Sequence, residues 1–170
     1  MSRPRLRLER LAAHHVLTDF DSGEDDLDTW LRRHAMAAQH MDSARTFVLT
    51  RNHQVIGYFS LTMGSVRRAD APAQLVRGLP AYPVGMVLLA RLAVDGREQG
   101  RGTGGLLLAE TLRKAVVAGE AAAARLVVVD AINEEAVTFY ERYGFAPAPE
   151  HDRRLYRRLK DVRSSLEQHD

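Results

Sequence analysis

The sequence has no cysteine, which excludes a disulfide framework and any thiolate metal site. No apolar run approaches the ~18 residues needed to cross a bilayer, and the opening Met-Ser-Arg-Pro-Arg-Leu-Arg lacks a signal peptide's apolar stretch. The expectation is a cytoplasmic protein with no membrane partner. The seven histidines show no ligand spacing, since His14 and His15 are adjacent and His34 and His40 do not share one turn of a helix face, so no metal is expected. There is no internal repeat and no low-complexity tract. At 170 residues and 45% hydrophobic, the chain is long enough for one domain with a real core and too short for two comfortable ones, so 1–170 reads as a single domain.

What the chain does have is concentrated in residues 88–108, Leu-Leu-Ala-Arg-Leu-Ala-Val-Asp-Gly-Arg-Glu-Gln-Gly-Arg-Gly-Thr-Gly-Gly-Leu-Leu-Leu. An apolar strand feeds a turn rich in glycine and arginine, and the turn opens a helix. This is the layout of a phosphate cradle: Gly100, Gly102 and Gly104 let the backbone approach a ligand, and the N–H groups of a helix start point at an anion. A P-loop needs Gly-Lys-Ser/Thr, whereas Gly100 is followed by Arg-Gly-Thr-Gly-Gly. Gly100, Gly102 and Gly105 match the dinucleotide spacing. That motif, however, belongs after the first strand, and Glu120 at its acidic position falls before the next strand rather than at its end.

A second segment follows. Residues 125–131, Arg-Leu-Val-Val-Val-Asp-Ala, form a β-branched strand, and 133–145, Asn-Glu-Glu-Ala-Val-Thr-Phe-Tyr-Glu-Arg-Tyr-Gly-Phe, form a short helix ending at a glycine. Arg97-x-x-Gly100-x-Gly102 resembles the pyrophosphate signature of the GNAT acetyltransferase superfamily, Arg/Gln-x-x-Gly-x-Gly/Ala. The second segment resembles the superfamily's ending, Asn/Asp-x-x-Ala-x-x-Phe-Tyr-x-x-x-Gly-Phe. The resemblance implies an α/β (α+β) GNAT fold: a central mixed, mostly antiparallel sheet of about six to seven strands, flanked by helices and splayed at the acetyl-CoA site. It implies acetyl-CoA as cosubstrate, with the pyrophosphate held by Arg97, Gln99, Gly100, Arg101, Gly102, Thr103 and Gly104. Backbone groups of Leu92, Ala93 and Val94 would meet the thioester, and Asn133 and Phe139 would complete the cofactor site.

Period and punctuation supply the remaining elements. Residues 6–11 alternate as an edge strand, and 25–40 place Leu27, Trp30, Leu31, His34 and Ala38 at helical spacing, with Ser22-Gly-Glu-Asp as cap and N-terminal acids. Strands over 46–51 and 55–62 flank Asn52-His53 as a hairpin. Residues 67–83 read as a loop with one helical turn around 73–77, of the kind that borders active sites. A strand over 86–94, the cofactor helix over 103–118 and a last alternating strand over 153–159 complete the pattern.

Segments outside the cofactor motifs narrow the resemblance. Phe20-Asp-Ser-Gly-Glu-Asp-Asp-Leu-Asp-Thr-Trp-Leu31, Val55-Ile-Gly-Tyr-Phe-Ser-Leu61, Leu79-Pro-Ala-Tyr-Pro83 and Leu88-Leu-Ala-Arg-Leu-Ala-Val-Asp95 resemble the TacT-like GNAT toxins of bacterial toxin–antitoxin pairs. This resemblance implies acetylation of the α-amine of aminoacyl-tRNA, neutralisation by a ribbon-helix-helix antitoxin, and a homodimer. The group usually reads Tyr-Pro-x-Pro before the cofactor strand. Here Tyr82-Pro-Val-Gly85 replaces the second proline, which is expected to loosen the loop.

Acetyl transfer needs a held donor, a polarised carbonyl, a neutral amine and a protonated leaving thiolate. Tyr140, with a phenol pKa of about 10, is the candidate proton donor; the alternative is a core aromatic like Phe139. Asp95 and Glu98 are available as general bases, although turn or helix-end roles suit them better. Arg91 interrupts an apolar strand, and either pairs with a carboxylate or faces the substrate channel. Net charge is +2 and the isoelectric point about 9.2. Arginines gather at 3/5/7, 32–33, 67–68, 77 and 153/154/157/158, either to track a tRNA acceptor stem or as solvated faces. Two further readings are an ordinary acetyltransferase of a small amine or protein N-terminus, and a binding module with a vestigial cofactor site.

Overall fold

The computed structural model describes residues 5–150 and 153–169. Seven strands form one open sheet in the order β1-β2-β3-β4-β5-β7-β6. They are β1 (Leu6–Arg10), β2 (Arg45–Arg51), β3 (Gln54–Val66), β4 (Val84–Val94), β5 (Leu126–Asp130), β6 (Ala146–Pro147) and β7 (Arg154–Arg158). The β1/β2, β2/β3, β5/β7 and β6/β7 pairs are antiparallel and β4/β5 is parallel, so the sheet is mixed and mostly antiparallel. The helices are α1 (Asp25–Arg33), α2 (Ala35–His40), α3 (Ala73–Val76), α4 (Thr103–Ala122), α5 (Glu134–Arg142) and α6 (Leu159–His169). Among the described residues no helix is long and apolar enough to cross a membrane. Arg3 lies outside the described residues.

The chain divides into two compact units. One comprises Met1–Thr62 and Ala90–Thr111. Its core gathers Leu11, Phe20, Leu27, Leu31, Val48, Val55 and Tyr58, where the inward faces of β2 and β3 meet the apolar stripe of α1. Asn52 and His53 join β2 to β3 with φ of 54° and 66°. Positive φ at both central residues of a two-residue turn matches the right-handed twist of a hairpin, as the sequence pattern predicts. The other unit comprises Met63–Leu89 and Leu112–Asp170. It packs Val66, Val76, Val84, Met86, Leu126, Val128 and Tyr156 into its own core.

Several expectations need correction. The helix expected over 25–40 breaks at His34, whose φ of −123° leaves the helical region and separates α1 from α2. Ser22 is not its cap: Glu24 holds that position, and Ser22 instead donates its hydroxyl to Oδ1 of the buried Asp28 at 2.6 Å. The strand expected to end at residue 62 continues to Val66, the cofactor helix continues to Ala122, and α6 and the two-residue β6 are additional. Gly85 does not loosen its segment. It lies in β4, its carbonyl accepts from the Arg125 N–H at 2.9 Å, and a Cβ there would sit 3.3 Å from the Ala123 carbonyl oxygen. Close approach of Ala123 and Ala124, just beyond the end of α4, rather than slack, accounts for the glycine.

Candidate active site

The glycine turn is built from its own side chains. β4 ends at Val94, and the next residue, Asp95, is only 1% exposed. Its N–H bonds the Ile56 carbonyl on β3 at 2.9 Å, which fixes where the turn begins. Its carboxylate accepts from four donors: the Arg97 backbone N–H, Arg97 Nε, Arg97 Nη2 and the Asp21 N–H, at 2.9 to 3.1 Å. The first of these caps a short 3-10 turn, Gly96–Glu98. Burial alone would push the Asp95 carboxyl up. The hydrogen bonds from Arg97 and from the Asp21 N–H outweigh it, and hold the carboxyl below its ordinary value.

Gln99 and Glu98 complete the frame. The Gln99 amide donates to the Val94 and Ser22 carbonyls, both at 2.9 Å. The Glu98 carboxylate takes Arg51 Nη2 at 3.3 Å and the Thr103 hydroxyl at 3.4 Å. The side chains of Asp95, Arg97, Glu98, Gln99 and Thr103 are therefore committed to shaping the turn. Asp95 and Glu98 take the structural role that the sequence favoured over that of general base.

Gly100 and Gly102 have φ of 78° and 80°, and nothing lies within 4 Å of the place a Cβ would occupy on either. The left-handed region favours glycine, and the open space beside both residues leaves room for a phosphate to approach the backbone. Gly104 differs: it lies in the first turn of α4 with helical backbone, and contributes as part of a helix start rather than by unusual dihedrals. The first N–H groups of a helix have no intrahelical carbonyl to bond, so the start of α4 presents donors to an anion. This turn fits a pyrophosphate through its backbone. Arg101, in the same turn, is exposed.

The strand that leads to the turn supplies Leu92, half-buried, and Ala93 and Val94, both buried. The parallel ladder between β4 and β5 runs to Leu89↔Val129, where β5 ends at Asp130, while β4 continues to Val94. Arg91, left open between a carboxylate and the substrate channel, has an aromatic partner. Its guanidinium sits 4.1 Å from the centre of the Trp30 ring, which in turn stacks on Tyr58 at 6.2 Å and 12°.

The other unit holds Asn133, Phe139 and Tyr140 on or beside α5. Asn133 is the helix cap, its side-chain oxygen accepting the Ala136 N–H at 2.8 Å. Phe139 is half-buried, and Tyr140 is 5% exposed. The Tyr140 ring meets Phe139 at 5.2 Å and Phe145 at 5.6 Å, both near edge-to-face. Burial pushes its phenol pKa up. Gly144, with φ of 91°, turns the chain so that the Phe145 N–H bonds the Tyr140 carbonyl at 3.2 Å.

Two surface features differ from the sequence reading. Glu9, His14 and His15 place one ligand atom each within 4.8 Å of one another. The His15 Nδ1 accepts the Ala12 N–H at 2.9 Å, so its Nε2 carries the proton and donates to Glu9 at 2.8 Å. With both ring nitrogens in use, this donor set suits a hydrogen-bond network better than a cation. Much of the C-terminal arginine cluster is internally paired: Arg154 binds Asp130 with both nitrogens, Arg158 binds Asp161, and Arg153 binds Glu134.

The chain is similar to known proteins along most of its length. Residues 42–147 match the family model described as an acetyltransferase (GNAT) domain. A tRNA-acetylating toxin of Mycobacterium tuberculosis (strain ATCC 25618 / H37Rv) is 40% identical over 92% of this chain and 94% of its own. Among solved structures, AtaT complexed with acetyl-methionyl-tRNAfMet superposes with a TM-score of 0.88 at 31% identity, covering 95% of this chain and 99% of that one. A tyrosine-to-phenylalanine mutant of the AtaT toxin, bound to the C-terminus of the antitoxin AtaR and acetyl-CoA, superposes with a TM-score of 0.82 at 30% identity, over 95% and 98%.

Proposed function

Because the chain belongs to the GNAT acetyltransferase family and is an acetyl-CoA-dependent enzyme, we propose that it moves the acetyl group onto the α-amine of aminoacyl-tRNA and so blocks translation as a toxin. The observation that carries the reading is the glycine turn, framed by Asp95 and Gln99 and opened by Gly100 and Gly102 at the start of α4. The acceptor is supported by the relatives, one a tRNA-acetylating toxin and one solved with acetyl-methionyl-tRNA. A ribbon-helix-helix antitoxin as the restraining partner, and a homodimer as the working form, belong to the same reading.

Acetyl-CoA supplies the activated acetyl group as a thioester. Backbone N–H groups of Gly100 to Gly104 bind its pyrophosphate, and a backbone N–H among Leu92 to Val94 polarises the thioester carbonyl. The neutral α-amine attacks that carbon, forming a C–N bond. As the tetrahedral adduct collapses, the C–S bond breaks and the electron pair leaves on sulfur. Tyr140 gives its phenol proton to the thiolate and is reprotonated by the proton that the new amide nitrogen releases through solvent. Burial keeps the Tyr140 phenol protonated at neutral pH, so its proton is present when the thiolate leaves. An aminoacyl ester's amine is less basic than a lysine side chain and is already partly neutral, so no dedicated base is required.

The test is incubation of the protein with labelled acetyl-CoA and total aminoacylated tRNA, beside the same tRNA deacylated beforehand. Label on charged tRNA alone is the expected result. Label passed only to small amines or peptides overturns the acceptor assignment in favour of an ordinary acetyltransferase.

A further inference from the structure

The segment before β4 carries a tyrosine that the acetyl-CoA site does not use. Tyr82 is 75% exposed, standing in Leu79-Pro-Ala-Tyr-Pro83 between two prolines. An exposed ring held on backbone that proline has already restricted loses little freedom when something stacks on it. Behind it the chain is anchored: Val84 is buried in the core of its unit, and the Arg125 N–H holds the Gly85 carbonyl.

The segment lines two clefts. The first, of about 420 Å³, is lined by Tyr82 and Pro83 together with Arg158, Lys160 and Arg163. The second, of about 540 Å³, is lined by Ala81 and Pro83, the neighbours of Tyr82, together with Arg67 and Arg68. No carboxylate is among the described residues lining either cleft. Asp161, Glu120 and Asp70 pair with Arg158, Arg163 and Arg67 from outside them. Such exposed pairs are weak, and yield their guanidinium readily to a phosphate.

An exposed aromatic ring beside clefts lined by cations is the arrangement that takes a single nucleic-acid strand: a base lies on the ring, and its neighbouring phosphates meet the arginines and lysine. A duplex keeps its bases stacked inside, so the ring selects unpaired nucleotides. We propose that Tyr82 is a stacking platform for an unpaired base near the end of the RNA acceptor, with Arg158, Lys160 and Arg163 of its own cleft, and Arg67 and Arg68 of the neighbouring one, binding the phosphates around it. The proposal rests on the reading of tRNA as acceptor. It assigns to this segment the grip on RNA, separate from the handling of the acetyl donor.

The experiment compares wild type with Tyr82→Ala, Tyr82→Trp and Lys160→Glu. It reads the KM for aminoacyl-tRNA, the Kd for deacylated tRNA at two salt concentrations, and the KM for acetyl-CoA. Tyr82→Ala is expected to weaken both RNA constants by about 5- to 100-fold, with the KM for acetyl-CoA moving less than about 2-fold. Tyr82→Trp should keep or tighten binding, and Lys160→Glu should weaken it and flatten its salt dependence. If wild type acetylates charged tRNA and Tyr82→Ala matches it in both RNA constants, the platform is overturned while the acceptor assignment stands. If wild type neither binds nor acetylates tRNA, both fall together. Loss of binding to an acidic peptide in Tyr82→Ala, with RNA binding intact, assigns the surface to a protein partner and overturns the proposal.

Discussion

Asp95 holds Arg97 twice through one oxygen: its Oδ1 accepts both the backbone N–H and the Nε of Arg97 at 2.9 Å. The arginine that heads the pyrophosphate signature is thus bound first to its own turn. Asp95→Ala leaves the N–H groups of Asp21 and Arg97 without their acceptor, and is expected to cost about 2–4 kcal/mol of stability and to raise the KM for acetyl-CoA more than it lowers kcat. Thermal melts and steady-state kinetics check this. The native carboxyl is held below its ordinary value, so its contribution is present above the usual aspartate range and is lost as pH falls through the native value. Asp95→Asn should therefore flatten the acid limb of the stability curve.

The three turn glycines should separate by backbone conformation. Gly100→Ala and Gly102→Ala force a Cβ into left-handed backbone at a cost of about 1–2 kcal/mol each, and put a methyl group where the phosphate approaches. Acetyl-CoA affinity is expected to fall on the order of tenfold or more. Gly104→Ala lies in the first turn of α4 and should leave the melting temperature unchanged or raise it, by up to about 1 kcal/mol of added stability. Equal melting-temperature losses at all three positions would contradict the assignment of φ.

Tyr140→Phe keeps the ring among Phe139 and Phe145 and removes only the hydroxyl. It is expected to melt within a few degrees of wild type while kcat falls about 10²- to 10⁴-fold. Because burial raises the phenol pKa, the wild-type rate should show no fall from Tyr140 ionisation up to the ordinary tyrosine range. For stability the sign is the reverse of Asp95. A raised phenol stabilises below its unfolded pKa, and that contribution is lost as pH rises through the native value, so alkaline unfolding should come at higher pH in Tyr140→Phe. A variant with full kcat would make Tyr140 a core aromatic and nothing more.

Trp30 is the only tryptophan, so its fluorescence reports on Arg91 directly. Arg91→Met removes the cation over the ring, and is expected to shift the emission and to cost about 0.5–2 kcal/mol. An unchanged spectrum counts against the stacked pair.

Much of this was legible in the residues. The alternation of 6–11, 46–51 and 55–62 locates three strands, and the spacing of Leu27, Trp30 and Leu31 locates α1, because one buried face imposes its period on the chain. Asn52-His53 locates the hairpin through its turn chemistry. The break at His34 was not legible, since both flanks have helical spacing and the backbone change is one residue wide. α6 was hidden because only Leu159 and Val162 of its eleven residues are buried, too few to announce a period. The signature at Arg97 and Gln99 marks positions but not which atoms do the work, and both side chains hydrogen-bond to groups that frame the turn. Trp30 under Arg91 joins α1 to β4, and no local pattern carries such a contact.

A turn whose shape is set by Asp95, Glu98 and Gln99 meets its nucleotide as a rigid mould. Little of the binding free energy goes into ordering the loop, so the frame itself carries part of the affinity. Stiffening or slackening that frame at Asp95 or Gln99 is therefore a way to change affinity for the acetyl donor without touching a residue that meets it.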